Sequence, residues 1–397
     1  MGEIPFAARM HRLGTETAFE VLARARALEA QGRDVIHLEI GEPDFATPAH
    51  IVAAAKDALD AGFTHYVPTA GLPEVRAAIA AHIAATRGIA VAPEQVVITP
   101  GAKPIMFFAA LMLCQEGDEA LVPDPGFPIY ASVIAYSGAR PVPLRLRPEM
   151  GFRLDLDELR ARITDRTRLL ILNSPHNPTG AIVPAADLAA IADMVRGRPI
   201  TVLSDEIYSG LLYDGDFASI ASLPGMAEQT IILDGFSKTY AMTGWRLGYG
   251  VMPRRLAEGM ALLMVNSASC TAAFTQRAGL AALTGPQDAA LAMREEFRAR
   301  RDLIVAGLNA VPGVACRAPE GAFYAFPDVR GTGLGSDELA ARLLGEAGVA
   351  VLAGSAFGAG GEGFLRLSYA NSRENIARAV ERIGALVAAL PAGAASA

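Results

Sequence analysis

Between about Pro48 and Leu283, short runs of β-branched and aliphatic residues recur, each closed by a turn and followed by apolar positions at helical spacing. The strand-like runs are Val96 to Thr99, Ala120 to Asp124, Pro141 to Leu146, Arg168 to Asn173, Ile200 to Ser204 and Thr230 to Leu233. Helical patterns occupy Pro48 to Ala61, Pro73 to Thr86, the stretch from Gly101 through Phe107 to Cys114, and Leu154 to Ile163. Such alternation predicts a mostly parallel, three-layer α/β unit whose ligands meet the carboxyl ends of the strands. After Gly285-Pro286 the pattern changes to a long Arg/Glu-rich helix, Leu291 to Leu308, and then to short Gly-rich segments. Ahead of the alternating region, Phe19, Leu22, Ala25 and Leu28 mark a helix over Ala18 to Gln31, and Val35 to Ile40 reads as a strand. The expected division is a large unit over 46–284 and a smaller α+β unit made of 1–45 with 285–397.

Composition narrows the function. With 52% apolar and 19% charged residues in 397, the chain has ample material for a core. Its formal charge of −7 is spread without long like-sign runs, which argues against a nucleic-acid or anionic-membrane partner. Cys114, Cys270 and Cys316 have no metal-ligand spacing and suggest buried thiols in a reducing, cytoplasmic setting. No stretch has the length of an apolar membrane span or a signal-peptide core. The tail from Pro391 to Ala397 is expected to be disordered. Gly358 to Gly363 matches the glycine spacing of a dinucleotide fingerprint but runs directly into a strand, so it is expected to be a loop near the substrate.

The most informative stretch is Ser237-Lys238-Thr239-Tyr240-Ala241-Met242-Thr243-Gly244-Trp245-Arg246, just beyond the run that ends at Asp234-Gly235. A lysine amine can condense with an aldehyde, and a guanidinium grips phosphate through paired hydrogen bonds. Pyridoxal phosphate carries both groups. Elsewhere, Asp205-Glu206-Ile207-Tyr208 follows a strand, Asn177-Pro178-Thr179-Gly180 follows another, and Arg366 sits in an Arg-Leu-Ser-Tyr context. Together with their order, these motifs resemble the class I/II aminotransferases of pyridoxal-phosphate fold type I, over nearly the whole chain from about Ile36.

The resemblance implies specific roles. Lys238 would carry the cofactor and act as general base and acid, and Asp205 would face the pyridine nitrogen. Tyr208 and Asn177 would bond the phenolic oxygen, and Phe127 would stack on the ring. Gly101, Ala102, Lys103, Ser237 and Arg246 would surround the phosphate, joined by Tyr66 from a neighbouring subunit, which makes a homodimer with composite sites. Gly41, Asn177 and Arg366 would hold the substrate carboxylate. Lys103 would either read a distal carboxylate or supplement phosphate binding. His176 receives no role. Many members of the family have Ser or Thr three residues before the lysine. This chain has Gly235 there, so the phosphate would rest more on Arg246, the Gly101–Ala102 amides and Tyr66, with Ser237 as a substitute hydroxyl.

The implied reaction is amino transfer between an L-amino acid and a 2-oxo acid, with glutamate/2-oxoglutarate as one pair. A carbon–sulfur lyase of the same fold would use the same cofactor residues. A cofactor-sensing transcription regulator would need a DNA-binding module ahead of the pattern, and the pattern already begins within the first 40 residues of an acidic chain.

Overall fold

The computed structural model describes residues 4–390, so the tail expected to be disordered lies outside the described residues. Among the described residues thirteen strands occur, in chain order. They are β1 (Ile36–His37), β2 (Val96–Thr99), β3 (Glu119–Asp124), β4 (Arg140–Arg147), β5 (Arg153–Leu154), β6 (Thr167–Asn173) and β7 (Thr201–Asp205). Then follow β8 (Thr230–Gly235), β9 (Gly248–Val251), β10 (Tyr324–Ala325), β11 (Val349–Ala350), β12 (Leu352–Ala353) and β13 (Leu365–Ser368).

The central sheet has eight strands in the order β2-β9-β8-β7-β6-β3-β4-β5. Strands β8, β7, β6, β3 and β4 are parallel neighbours, while β9 runs against both β2 and β8, and β5 against β4. Successive residues of one strand point to opposite faces. Leu169 and Ile171 accordingly join a core with Leu203, Ile231 and Leu233, whereas Leu170 and Leu172 join another with Leu121 and Val202. Helix Lys103–Leu113 covers the first face through Ile105, Met106 and Ala109, and helix Ala185–Val195 covers the second through Leu188, Ile191 and Val195. Both faces are therefore dry, which is why the strands read as continuous apolar runs. Each fully buried Leu or Ile contributes about 1.5–3 kcal/mol of transfer free energy.

Two small sheets lie outside the central one: β10-β13-β12, antiparallel, and β1-β11, parallel. Helices Asp288–Asn309 and Arg373–Ala388 back them through Phe297, Ile304, Leu308, Ile376 and Ile383. That apolar cluster is continuous with Leu203 and Leu233 of the central sheet, so the two regions share buried apolar contacts.

Several boundaries differ from the sequence expectation for local reasons. Leu154 does not start a helix. It ends β5, and Asp155 caps helix Leu156–Arg162 by accepting 3.1 Å hydrogen bonds from the amides of Asp157 and Glu158. The expected strand Val35 to Ile40 pairs only over Ile36–His37 before the chain turns toward the cavity. Helix Thr17–Glu29 forms, but Val21 and Ala25 are its buried residues, and Phe19 is 60% exposed. The loop Gly358 to Gly363 packs on β3, with the Gly360 amide donating to Asp124 Oδ1 at 2.8 Å, and it does not line the large cavity. Cys114 and Cys316 are buried, but Cys270 is only partly so.

Candidate active site

Strand register brings the polar residues together. Asn173 and Asp205 are directly paired at the carboxyl ends of β6 and β7, and Asp205 is paired with Leu233 of β8, whose chain continues to Ser237 and Lys238. Turns at the ends of β2 and β3 deliver Gly101 to Lys103 and Phe127 to the same side. All these groups except Gly101, which lies just behind the lining, border one cavity of about 1010 Å³, closed on the other side by Gly41, Glu42, Tyr324, Arg366 and helix Thr17–Glu29.

Lys238 Nζ donates to the Gly41 carbonyl at 2.6 Å and lies 5.8 Å from the Phe323 ring centroid and 6.0 Å from that of Tyr208. Burial among these groups pulls the amine down to about 8, against a smaller opposing effect of Glu42. Asp205 is pushed up to about 6 by burial, despite the 2.6 Å hydrogen bond that Tyr130 Oη donates to its Oδ2. A cationic N–H placed against Asp205 would reverse that shift.

Arg366 belongs to β13 and is buried. One terminal nitrogen donates to the Glu39 carbonyl, the other to Asn177 Oδ1 at 3.3 Å, and Nε has no partner. Its guanidinium carbon lies 4.6 Å from the Tyr324 ring centroid. A buried fork with an unused donor is prepared for an anion. At the far side, Gly101 has φ +87°, and a Cβ there would come within 2.2 Å of Arg246. The Arg246 guanidinium therefore lies over a bare backbone, beside the amino end of helix Lys103–Leu113.

The expected residues Gly41, Ala102, Lys103, Phe127, Asn177, Asp205, Tyr208, Ser237, Lys238, Arg246 and Arg366 all line the cavity. Gly101 lies beneath Arg246 as just described. Tyr66 does not reach the cavity in its own chain and is 88% exposed. Tyr208 shares a 2.7 Å hydrogen bond with Tyr324. His176 is buried rather than open, its Nδ1 2.9 Å from Thr179 Oγ1, and burial lowers its pKa to about 3. Gly235 has a packing explanation: a Cβ there would lie 3.0 Å from Gly248 Cα and 3.2 Å from the Leu247 carbonyl, so β8 and β9 leave little room for a side chain.

Sequence reasoning missed five participants. Tyr130 supports Asp205, and Asn173 donates to the Asp205 carbonyl at 3.1 Å while accepting from the Asn177 amide at 2.9 Å. Tyr324 stands under Arg366, and a Cβ on Gly41 would meet its hydroxyl at 2.2 Å. Glu39 is buried with one oxygen 2.7 Å from His37 Nδ1. Glu16, just ahead of helix Thr17–Glu29, forms an ion pair with Lys103. Their only sequence signal was proximity to strand ends or to the other motifs.

The family model for aminotransferases of class I and II matches residues 33–383. The chain belongs to that family. Aminotransferases of this class are pyridoxal-phosphate enzymes, and this one transfers amino groups. It is 43% identical over 355 residues to the aspartate aminotransferase of Pyrococcus abyssi, covering 88% of this chain and 91% of the relative. It is 42% identical over 376 residues to the arginine–pyruvate transaminase of Pseudomonas aeruginosa, covering 94% and 95%. The crystal structure of the aspartate aminotransferase from Rhizobium meliloti superposes with a TM-score of 0.94 at 38% identity, over 98% of this chain and 100% of that one. Among the described residues no helix is long and apolar enough to cross a membrane.

Proposed function

We propose that the cavity holds pyridoxal phosphate and that Lys238 is its covalent anchor. The observation that carries this reading is the convergence of Lys238, Asp205, Arg246 and Arg366, from separate parts of the sequence, on one cavity. The donor set fits the cofactor. Arg246, the Gly101–Ala102 backbone and Ser237 suit a phosphate, and Asp205 suits a protonated ring nitrogen. Tyr208 and Asn177 suit a phenolic oxygen, and the Phe127 ring offers a stacking face. When bound, the cofactor supplies an aldehyde for the amino group and an electron-withdrawing ring that stabilises negative charge at the substrate Cα.

The protein's own groups do the rest. Arg366, with its free Nε and flanked by Asn177, binds the α-carboxylate and fixes the Cα–H direction. Lys238 Nζ, lowered to about 8, takes the proton from Cα as a base and returns it as an acid. Asp205 stays ionised against the ring nitrogen, oriented by Tyr130. The substrates are an L-amino acid and a 2-oxo acid, with glutamate/2-oxoglutarate as one expected pair, and the relatives named for aspartate and for arginine with pyruvate support a range of donors.

The same reading makes the enzyme a cytoplasmic homodimer in which Tyr66 reaches the partner's phosphate site. Support comes from a large, chain-exposed Tyr66 without a cavity of its own. It also divides the chain into 46–284 and a smaller unit of 1–45 with 285–397. That division is supported by the central sheet lying wholly within β2 to β9, while one small sheet pairs β1 with β11 and the other is built from β10, β12 and β13. Borohydride reduction followed by peptide mass spectrometry tests the central assignment: the pyridoxyl label is expected on Lys238, and a label on another lysine would remove it.

A further inference from the structure

Glu16 sits at the border of the cavity with its carboxylate on Lys103, so the ion pair joins helix Thr17–Glu29 to the loop after β2. The two partners are not equally held. The Lys103 side chain is 50% exposed, at the end of a flexible stem, whereas that of Glu16 is 19% exposed. Lys103 can therefore swing into water at small cost, while Glu16 keeps its charge at the cavity wall. Other acidic groups of that wall are already engaged: Asp44 with Arg300 and Glu29 with His37, while Glu42 accepts from the Thr243 hydroxyl. Phe19 and Leu22, from the same helix as Glu29, line the cavity beside Glu16 and offer an apolar wall suited to a methylene chain.

From this arrangement, and resting on the aminotransferase reading above, we infer that Glu16 determines donor specificity. It receives a cationic side-chain end in place of Lys103 and opposes a distal carboxylate. A basic α-amino acid such as arginine or ornithine would place its α-carboxylate on Arg366, its methylenes along Phe19 and Leu22, and its terminal cation on Glu16. A distal carboxylate must instead compete with Glu16 for Lys103, in a partly desolvated site where like charges repel. Neutral side chains leave the pair intact. The negative charge of Glu16 is also felt at Lys238, Arg366 and Tyr324, which places it within the field of the substrate site.

The test uses the holoenzyme and its Glu16→Gln variant. Glutamine preserves size, and Glu16 makes no side-chain capping bond to helix Thr17–Glu29 that the change would remove. The first half-reaction is followed by cofactor absorbance with arginine, glutamate and alanine, alanine serving as internal reference. Glu16→Gln is expected to lower kcat/KM for arginine roughly 10- to 100-fold relative to alanine, through KM, and to raise that for glutamate about tenfold. Glu16→Asp is expected to restore part of the arginine preference. An arginine-to-glutamate ratio unchanged by Glu16→Gln would overturn the inference, as would a parallel loss for all three donors. Absence of any absorbance change in the wild type with every amino acid would instead remove the aminotransferase reading on which it rests.

Discussion

Arg366 illustrates how much of the chemistry depends on single side chains. Its planar fork has one nitrogen on the Glu39 carbonyl, another on Asn177, and an unpartnered Nε in a buried setting. Lysine retains the charge but cannot present parallel donors to a carboxylate. Arg366→Lys is expected to lower kcat/KM by roughly 10- to 150-fold, the loss of one charge-assisted contact worth about 1.5–3 kcal/mol. Because the α-carboxylate is common to all donors, alanine, glutamate and arginine should lose equally, and a loss confined to one donor would contradict the assignment. Lys238 makes a second residue-scale prediction. Burial favours its neutral form, so the amine of the cofactor-free enzyme should titrate near 8 instead of the ordinary 10.5. Trapping of an aldehyde on Lys238 should rise with pH and level off above about 8. A rise continuing to pH 10 would mean that the amine is solvated.

Among elements, the end of helix Pro73–Arg87 is tied to the strand ends that carry the site. Arg87 is buried, with Nε 2.7 Å from Glu206 Oε2 and a terminal nitrogen 3.2 Å from Asp234 Oδ2 and 2.8 Å from Ser209 Oγ. Glu206 follows Asp205, and Asp234 lies near the end of β8, a few residues before Lys238. Removing the cation leaves two carboxylates buried together, whose desolvation is no longer offset. Arg87→Ala is expected to cost about 3–5 kcal/mol in urea unfolding, the range for breaking a buried ion pair. A change below about 1 kcal/mol would show that water or protonation relieves the site. Helix Thr17–Glu29 is held differently. His37 lies 3.1 Å from its Glu29 and 2.7 Å from the buried Glu39. Burial lowers the imidazole, but the two carboxylates outweigh that and hold its pKa above the ordinary value.

For the whole molecule, the decisive prediction is composite catalysis. Tyr66 is 88% exposed within its chain, and its proposed use lies across a two-fold interface. Tyr66→Ala homodimers should lose activity through weakened cofactor binding, and Lys238→Ala homodimers through loss of the proton-transferring amine. Mixed dimers should regain part of the activity, because one of their two sites then combines an intact Tyr66 with an intact Lys238. Mixing that restores nothing after subunit exchange is demonstrated, or full activity in a monomer, would eliminate the shared site.

The sequence by itself determined the alternating β/α order, because apolar period and turn residues are local properties. It also determined which side chains have the chemistry for a phosphate, a ring nitrogen and a carboxylate: Arg246, Asp205 and Arg366 each stand in a recognisable motif. Tertiary structure alone decided the partners of those groups. The Asn173–Asp205 pairing follows from strand register, the Tyr208–Tyr324 contact joins residues 116 apart, and the Glu16–Lys103 pair joins residues 87 apart. Gly235 read as a missing hydroxyl, but the approach of β9 makes it a packing requirement. Phe19 and Leu22 marked a helix in the sequence, but helical spacing identifies an apolar face without specifying what covers it. Here that face borders the cavity, since the helix is placed by contacts with β11 and β12 and by the Glu16–Lys103 ion pair, made by residues distant in sequence, together with the nearer Glu29–His37 pair.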